Sequence, residues 1–139
     1  MPYASRTKVP VEKTKIEIEA TLKRYGADRF AYFSESAKAI IVFEVQQRRV
    51  RFDLPFEREG NSESAQRHQR ERWRALLLCI KAKLESVTSN IETFEEAFLA
   101  HVVMPDGQTV YQHTAPRIEQ IAKGGELRPL LPGPAAKAG

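Results

Sequence analysis

Hydrophobic and polar positions divide the chain into helical and strand-like segments in a definite order. Over 64–90 apolar residues recur every three or four positions, with no Pro or Gly to interrupt them. On a helix, six of them fall within an arc of about 100°, the width of a face that packs on a core: Trp73, Leu76, Leu77, Ile80, Leu84 and Val87. A second pattern of this period predicts a first helix over 11–25, with Pro10 suited to its start and Gly26 to its end.

Between these two helices lie three segments rich in β-branched and aromatic residues, at 29–33, 39–45 and 49–54. Their short separations predict neighbouring antiparallel strands, that is, a meander. In the third segment apolar residues alternate with Arg49 and Arg51, which predicts one apolar and one charged face. An aromatic beside these arginines would form a stacking platform for single-stranded nucleic acid. Strand register decides whether Tyr32 or Phe33 shares their face, and the sequence leaves it open.

The remaining pattern predicts two shorter helices. Thr93 and Glu96 have the spacing of a capping box for a helix over 94–103, and Thr109 would cap a last helix over 110–123, which Pro116 would kink or split. The predicted fold class is α+β: N-terminal helix, three-stranded antiparallel β-meander, long central helix and two shorter C-terminal helices, with the helices on one sheet face. We expect an extended basic arm at 1–10, a single domain at 11–131 and a flexible tail at 132–139.

Size and cysteine content narrow the class of protein. A chain of 139 residues is long enough for one domain with a single core. The one cysteine, Cys79, excludes an intramolecular disulfide and is expected to be a packed, unreactive thiol. No apolar run has the length of a membrane span or the form of a signal sequence, so we expect a cytoplasmic protein.

Basic residues are concentrated in the first two thirds of the chain. Residues 1–90 hold 18 Lys and Arg against 12 Asp and Glu, whereas residues 91–139 hold 4 against 6. On the long helix four cations fall within an arc of about 60° beside the apolar face; we call Arg67, Arg70, Arg74 and Lys81 the basic ridge. Such asymmetry suits a polyanion or an acidic protein partner, although a solvated surface would have the same composition.

Motifs of catalysis are missing from the sequence. It contains no Gly-rich phosphate loop, no HExxH and no GxSxG, and its histidines, His68, His101 and His113, are too scattered for a metal site. We therefore expect no enzyme activity, no cofactor and no metal.

Four stretches of the sequence are distinctive: MPYASRTKVPVEKTKIEIEATLKRYGA, RERWRALLLCIKAKLESV, TFEEAFLAHVVMPDGQTV and RPLLP. They resemble a group of small proteins carried by prophages and other bacterial mobile elements. The resemblance implies a role in DNA replication or recombination of such an element, or interference with a host defence complex. It implies no catalytic or binding residues.

These observations predict a non-enzymatic, phage-type accessory protein that binds nucleic acid, preferably single-stranded DNA, through backbone electrostatics. The alternative is a protein-interaction module or inhibitor that docks on a host nuclease or defence complex. A homodimer through the long helix or the sheet edge is also expected. The candidate nucleic-acid contacts are Arg6, Lys8, Arg48, Arg49, Arg51, Arg67, Arg70, Arg74 and Lys81.

Overall fold

A computed structural model describes residues 8–124 of the chain. Arg6, most of the predicted basic arm, the last part of the predicted domain at 125–131 and the predicted tail at 132–139 lie outside the described residues. The architecture is α+β, as the sequence predicts, and the first three α-helices share a core with one face of a three-stranded sheet. In chain order the elements are α1 Val11–Lys23, β1 Asp28–Ser34, β2 Lys38–Val45, β3 Arg48–Pro55, α2 Glu63–Thr88, α3 Phe94–Phe98, a 3₁₀ helix Leu99–His101, and α4 Val110–Ala122.

Helix α1 ends two residues before the predicted boundary at 25, in the manner that Gly26 indicates. Gly26 adopts a φ of +89°, which a residue with a Cβ rarely reaches. Ala27 N donates to Leu22 O at 3.2 Å and Gly26 N to Lys23 O at 3.0 Å, the bond pattern of a Schellman motif. The motif directs the chain from the helix into β1.

The strands form the predicted antiparallel meander in the order β1-β2-β3. In the middle of the sheet Tyr32 pairs with Ile41, and Ile41 pairs with Phe52. Because directly paired residues share a face, these three point towards the helices, and residues one position away point to the other side. Among the described strands β1 has an unpaired outer edge, whereas β3 is bridged at Val50 by Val102.

Helix α2 covers the core face of the sheet with the predicted apolar side. Five of its six predicted core residues are buried, and Val87 is partly buried against them. Ser62 begins the helix by accepting a hydrogen bond from Ala65 N at 3.1 Å. The prediction for Cys79 is wrong, because its side chain is exposed. It points away from the apolar side, where nothing in the helical layer covers it.

The predicted helix over 94–103 is too long. Its capping box is present, with Glu96 N donating to Thr93 Oγ1 at 3.1 Å and Thr93 N to Glu96 Oε1 at 2.8 Å. The α-helix ends at Phe98, and after the 3₁₀ turn Val102 is extended and bridges Val50 of β3. Two consecutive valines favour extended backbone, and Val103 N donates to Arg49 O at the edge of β3 at 2.8 Å, which holds the chain there.

Helix α4 packs on the 3₁₀ turn rather than on the sheet. Thr109 begins it, as predicted, and forms a capping box with Gln112. The helix runs through Pro116 as one element, so the predicted alternative of two separate pieces is wrong. Val110 and Thr114 are buried, while Tyr111 and Ile118 are exposed.

Candidate nucleic-acid interface

The face of the sheet that the helices leave uncovered carries both an exposed aromatic ring and cations. Phe33 pairs with Ile40, and Ile40 pairs with Asp53; one row further along, Val42 pairs with Arg51. Phe33 is therefore the aromatic that shares the arginine face, and its side chain is 56% exposed. Tyr32 lies on the core face, where its hydroxyl donates to Glu19 at 2.7 Å. The structure thus decides the register question in favour of Phe33.

An irregularity in β1 brings a further arginine to this face. The β1–β2 register shifts between Asp28 and Ala31, and Arg29 within it has a φ of +56°. Arg29 reaches the Glu44 carboxylate at 3.6 Å, and Arg49 contacts the other oxygen of Glu44 at 3.1 Å. Glu44 therefore lies between two guanidinium groups from different strands. Arg29 was absent from the predicted contacts, because nothing in the residues around it signals a bulge.

Arg51 is held by a two-point contact along its own strand. Its Nε donates to Asp53 Oδ1 at 2.7 Å and its Nη2 to Oδ2 at 3.1 Å, while Lys38 lies 3.5 Å from Asp53. Burial raises the pKa of Asp53, but the hydrogen bond and the charge of Arg51, with those of Lys38, outweigh it, so the pKa lies below its usual value. Both partners are charged at neutral pH, and the pair orients the Arg51 guanidinium.

These side chains surround a shallow open pocket of about 490 Å³. Among residues 8–124 its charged lining consists of three arginines and one carboxylate, Glu44, which is a positive excess. Strand β1 forms one side, and the turn after Val103 approaches from the other. The lining residues are Arg29, Phe30, Ala31, Phe33, Val42, Glu44, Arg49, Arg51, Val103 and Gly107.

Two of the predicted contacts make ion pairs that tie elements together. Arg48 Nε donates to Glu95 of α3 at 2.6 Å, which joins the start of β3 to the helical layer. Arg74 of the basic ridge is largely enclosed, with 13% of its side chain exposed, and its Nη1 lies 2.9 Å from Glu17 of α1. These contacts give Arg48 and Arg74 a structural role in holding the fold.

The rest of the basic ridge lies on the opposite side of the molecule from Arg49 and Arg51. Helix α2 covers the core face of the sheet, while the strand arginines point away from it. Arg67 and Lys81 are exposed on α2, and Arg70 is partly buried near Lys8. The structure therefore does not join the ridge and the strand arginines into one surface.

Other features of a site are sparse within the described part of the chain. Residues 8–124 contain no group of three or more His, Cys, Asp or Glu side chains that could hold a metal ion. None of the helices described between 8 and 124 combines the length and apolar character needed to cross a membrane.

No protein-family model, curated protein or solved structure matches the chain. The resemblance to prophage proteins stays a prediction.

Proposed function

We propose that this protein binds single-stranded nucleic acid on the uncovered face of its sheet. The observation that carries the proposal is the exposed Phe33 ring on the same face as Arg29, Arg49 and Arg51. An aromatic ring offers a stacking surface to any base, and guanidinium groups bind phosphate oxygens without reading sequence. The expected activity is therefore weakly selective for sequence and requires no catalysis.

Spacing across the sheet supports simultaneous contacts to a base and to phosphates. Phe33 and Arg51 lie on strands separated by β2 and are offset by two residues along the strands, which places their backbones about 12 Å apart at the usual strand spacing and rise. One base stacked on Phe33 would leave its flanking phosphates over the arginines. A duplex keeps its bases stacked within the helix, so this contact favours single strands.

The ion pairs on this face limit the affinity for nucleic acid. Glu44 and Asp53 already neutralise part of the charge of Arg49 and Arg51. An incoming phosphate must share these arginines with the carboxylates, so each contact contributes less than one from an unpaired arginine would. We expect modest affinity that falls as salt rises, with a log–log slope of about −2 for three phosphate contacts on a single strand.

Fluorescence anisotropy with labelled single-stranded and duplex oligonucleotides across a salt series tests the proposal. Phe33→Ala should weaken single-strand binding about 5- to 150-fold, the effect of one lost base–aromatic stack. Ile16→Ala is the matched control, because Ile16 is 67% exposed but lies on α1, away from this face. Equal affinity of wild type and Phe33→Ala, or equal losses in both variants, would refute the assignment of the site.

The same face supports a second candidate, a protein-interaction module. Here the specific observation is that Arg49 and Arg51 already have carboxylate partners, while Phe33, Ile40 and Val42 form an apolar strip beside them. A partner such as a host nuclease or defence complex would cover this strip and contact the ion pairs at its rim. This candidate predicts no oligonucleotide binding at physiological salt and loss of a purified partner's binding in Phe33→Ala.

A further inference from the structure

A second pocket lies on the helical side of the molecule, between the start of α1 and the first half of α2. Its volume is about 280 Å³. Within the described part of the chain, the lining contains two cations and two carboxamides and no carboxylate: Lys8, Pro10, Val11, Gln66, Gln69 and Arg70. A pocket with this lining presents donors and positive charge without an internal anion to neutralise them.

Arg70 differs from the other lining residues in its Nε atom, which is buried and has no hydrogen-bond partner among residues 8–124. Two neighbouring arginines of α2 are satisfied: Arg72 Nε donates to Pro55 O at 3.1 Å, and Arg74 contacts Glu17 at 2.9 Å. A buried donor of a charged group without an acceptor is costly and rare in folded proteins. Arg70 lines the cavity, so a turn of its guanidinium group would bring the Nε–H to an acceptor that enters from solution.

The other lining groups fit an oxygen-rich anion. Gln66 donates to Asn61 O at 3.1 Å, whereas within residues 8–124 no hydrogen bond occupies the Gln69 amide. Pro10 precedes α1 and supplies no side-chain cap to its first turn. The positive end of the α1 dipole therefore adds to the charges of Lys8 and Arg70.

We propose that this pocket is a binding site for a phosphoryl group. The Arg70 Nε–H donates to one phosphate oxygen, the Gln69 amide donates to a second, and Lys8 supplies a further positive charge. The phosphoryl group belongs either to inorganic phosphate or to the backbone of a nucleic acid, which present the same oxygens. This site lies across the sheet from Phe33 and does not rest on the proposed function.

The test follows the Nε–Hε resonance of Arg70 in ¹H–¹⁵N NMR spectra of the whole chain. Inorganic phosphate is titrated at constant ionic strength against chloride, and a thymidine oligonucleotide without terminal phosphate is titrated in parallel. We expect a saturable shift of this resonance with phosphate. Saturation by the oligonucleotide as well would assign the site to backbone phosphates, and saturation by phosphate alone to the free anion.

Variants of the lining residues distinguish a site with specific hydrogen-bond donors from nonspecific electrostatic attraction. Arg70→Lys keeps the charge but removes the Nε donor, and we expect it to weaken phosphate binding at least about tenfold, as followed by backbone amides around Gln69. Arg67→Lys is the matched control on an exposed position of α2 and should leave the affinity unchanged. Gln69→Ala, which removes only a neutral donor, should weaken binding by a smaller factor with the fold retained.

Two results would overturn the proposal. One is a wild-type Arg70 Nε–Hε resonance that does not shift during the phosphate titration, or whose shift is linear and the same with phosphate as with chloride. The other is equal affinity for phosphate in wild type and Arg70→Lys when both give the same fingerprint of folded amide resonances. Neither result bears on the Phe33 surface, because Phe33→Ala is measured separately by oligonucleotide anisotropy.

Discussion

Arg67 and Arg74 lie two turns apart on α2, yet their surroundings give them different roles. Arg67 is exposed, whereas Arg74 is enclosed between α1 and α2 and contacts Glu17. Arg74→Glu would place two carboxylates against each other in a partly buried position. We expect it to lower the free energy of unfolding by about 2 kcal/mol, measured by urea denaturation.

Arg67→Glu makes the same charge change at an exposed site and should alter stability by less than about 0.5 kcal/mol. Adding Glu17→Arg to Arg74→Glu restores an opposite-charge pair and should recover part of the loss. Equal stability of the two single variants would mean that the Arg74–Glu17 contact contributes nothing to folding. Charge reversal at Arg74 is therefore a poor probe of nucleic-acid binding, because it also disturbs the helix interface.

His101 makes the stability of the fold depend on pH near neutrality. It stacks on Phe52 with ring centroids 4.0 Å apart, and burial, reinforced by the charge of Lys83, lowers its pKa below 6.5. The unfolded chain therefore takes up this proton at a higher pH than the native protein does. Stability from the neutral ring is fully present above about pH 7 and is lost as the pH falls through about 6.5, the unfolded value, towards the native pKa.

His101→Phe should keep the stacking on Phe52 and remove this proton uptake. The free energy of unfolding of the variant should then fall less steeply than that of wild type between about pH 7 and pH 5. Chemical denaturation at several pH values provides the comparison. Parallel curves for the two proteins would exclude His101 as the source of the dependence.

Helix α3 has only five residues, so its capping box carries much of its local stability. Thr93→Ala removes the acceptor for Glu96 N, and we expect a loss of about 1 kcal/mol in the free energy of unfolding. The effect should reach the whole domain because Phe98 of α3 is fully buried and meets Phe43 and Phe52 edge to face. Thr93→Ser keeps an acceptor oxygen and should retain most of the stability in the same urea experiment.

The sheet separates the molecule into two cationic sides. One side carries Phe33 and the strand arginines, and the other carries the pocket around Arg70. Sites this far apart with no shared contacts are expected to act independently. Arg51→Gln should weaken oligonucleotide binding without changing the phosphate response at Arg70. In the double variant Arg51→Gln, Arg70→Lys, the losses in the free energy of oligonucleotide binding from the two single changes should add within about 0.5 kcal/mol. A larger coupling would mean that one ligand spans both sides.

Element order and local signals were predictable because they depend on residues close together in the chain. The period of apolar residues locates α2 to within two residues, and the spacing of Thr93 and Glu96 identifies the capping box. The same local reasoning failed over 99–103. There the chain leaves the helical path at Val102 because the distant edge of β3 accepts a hydrogen bond from the next residue, Val103 N to Arg49 O, and no residue near 102 in the sequence signals this contact.

The alternation of Arg49 and Arg51 with apolar residues, and the surplus of positive charge, are properties of the sequence itself and require only a strand and a count. Tertiary structure alone decided that Phe33 rather than Tyr32 joins these arginines, since one residue of register moves every side chain to the other face. It also decided that Arg74 pairs with Glu17, that Arg70 borders a pocket, and that the sheet lies between the two basic surfaces. Each of these results depends on packing between residues far apart in the chain. The period of apolar residues along the sequence contains no information about such packing.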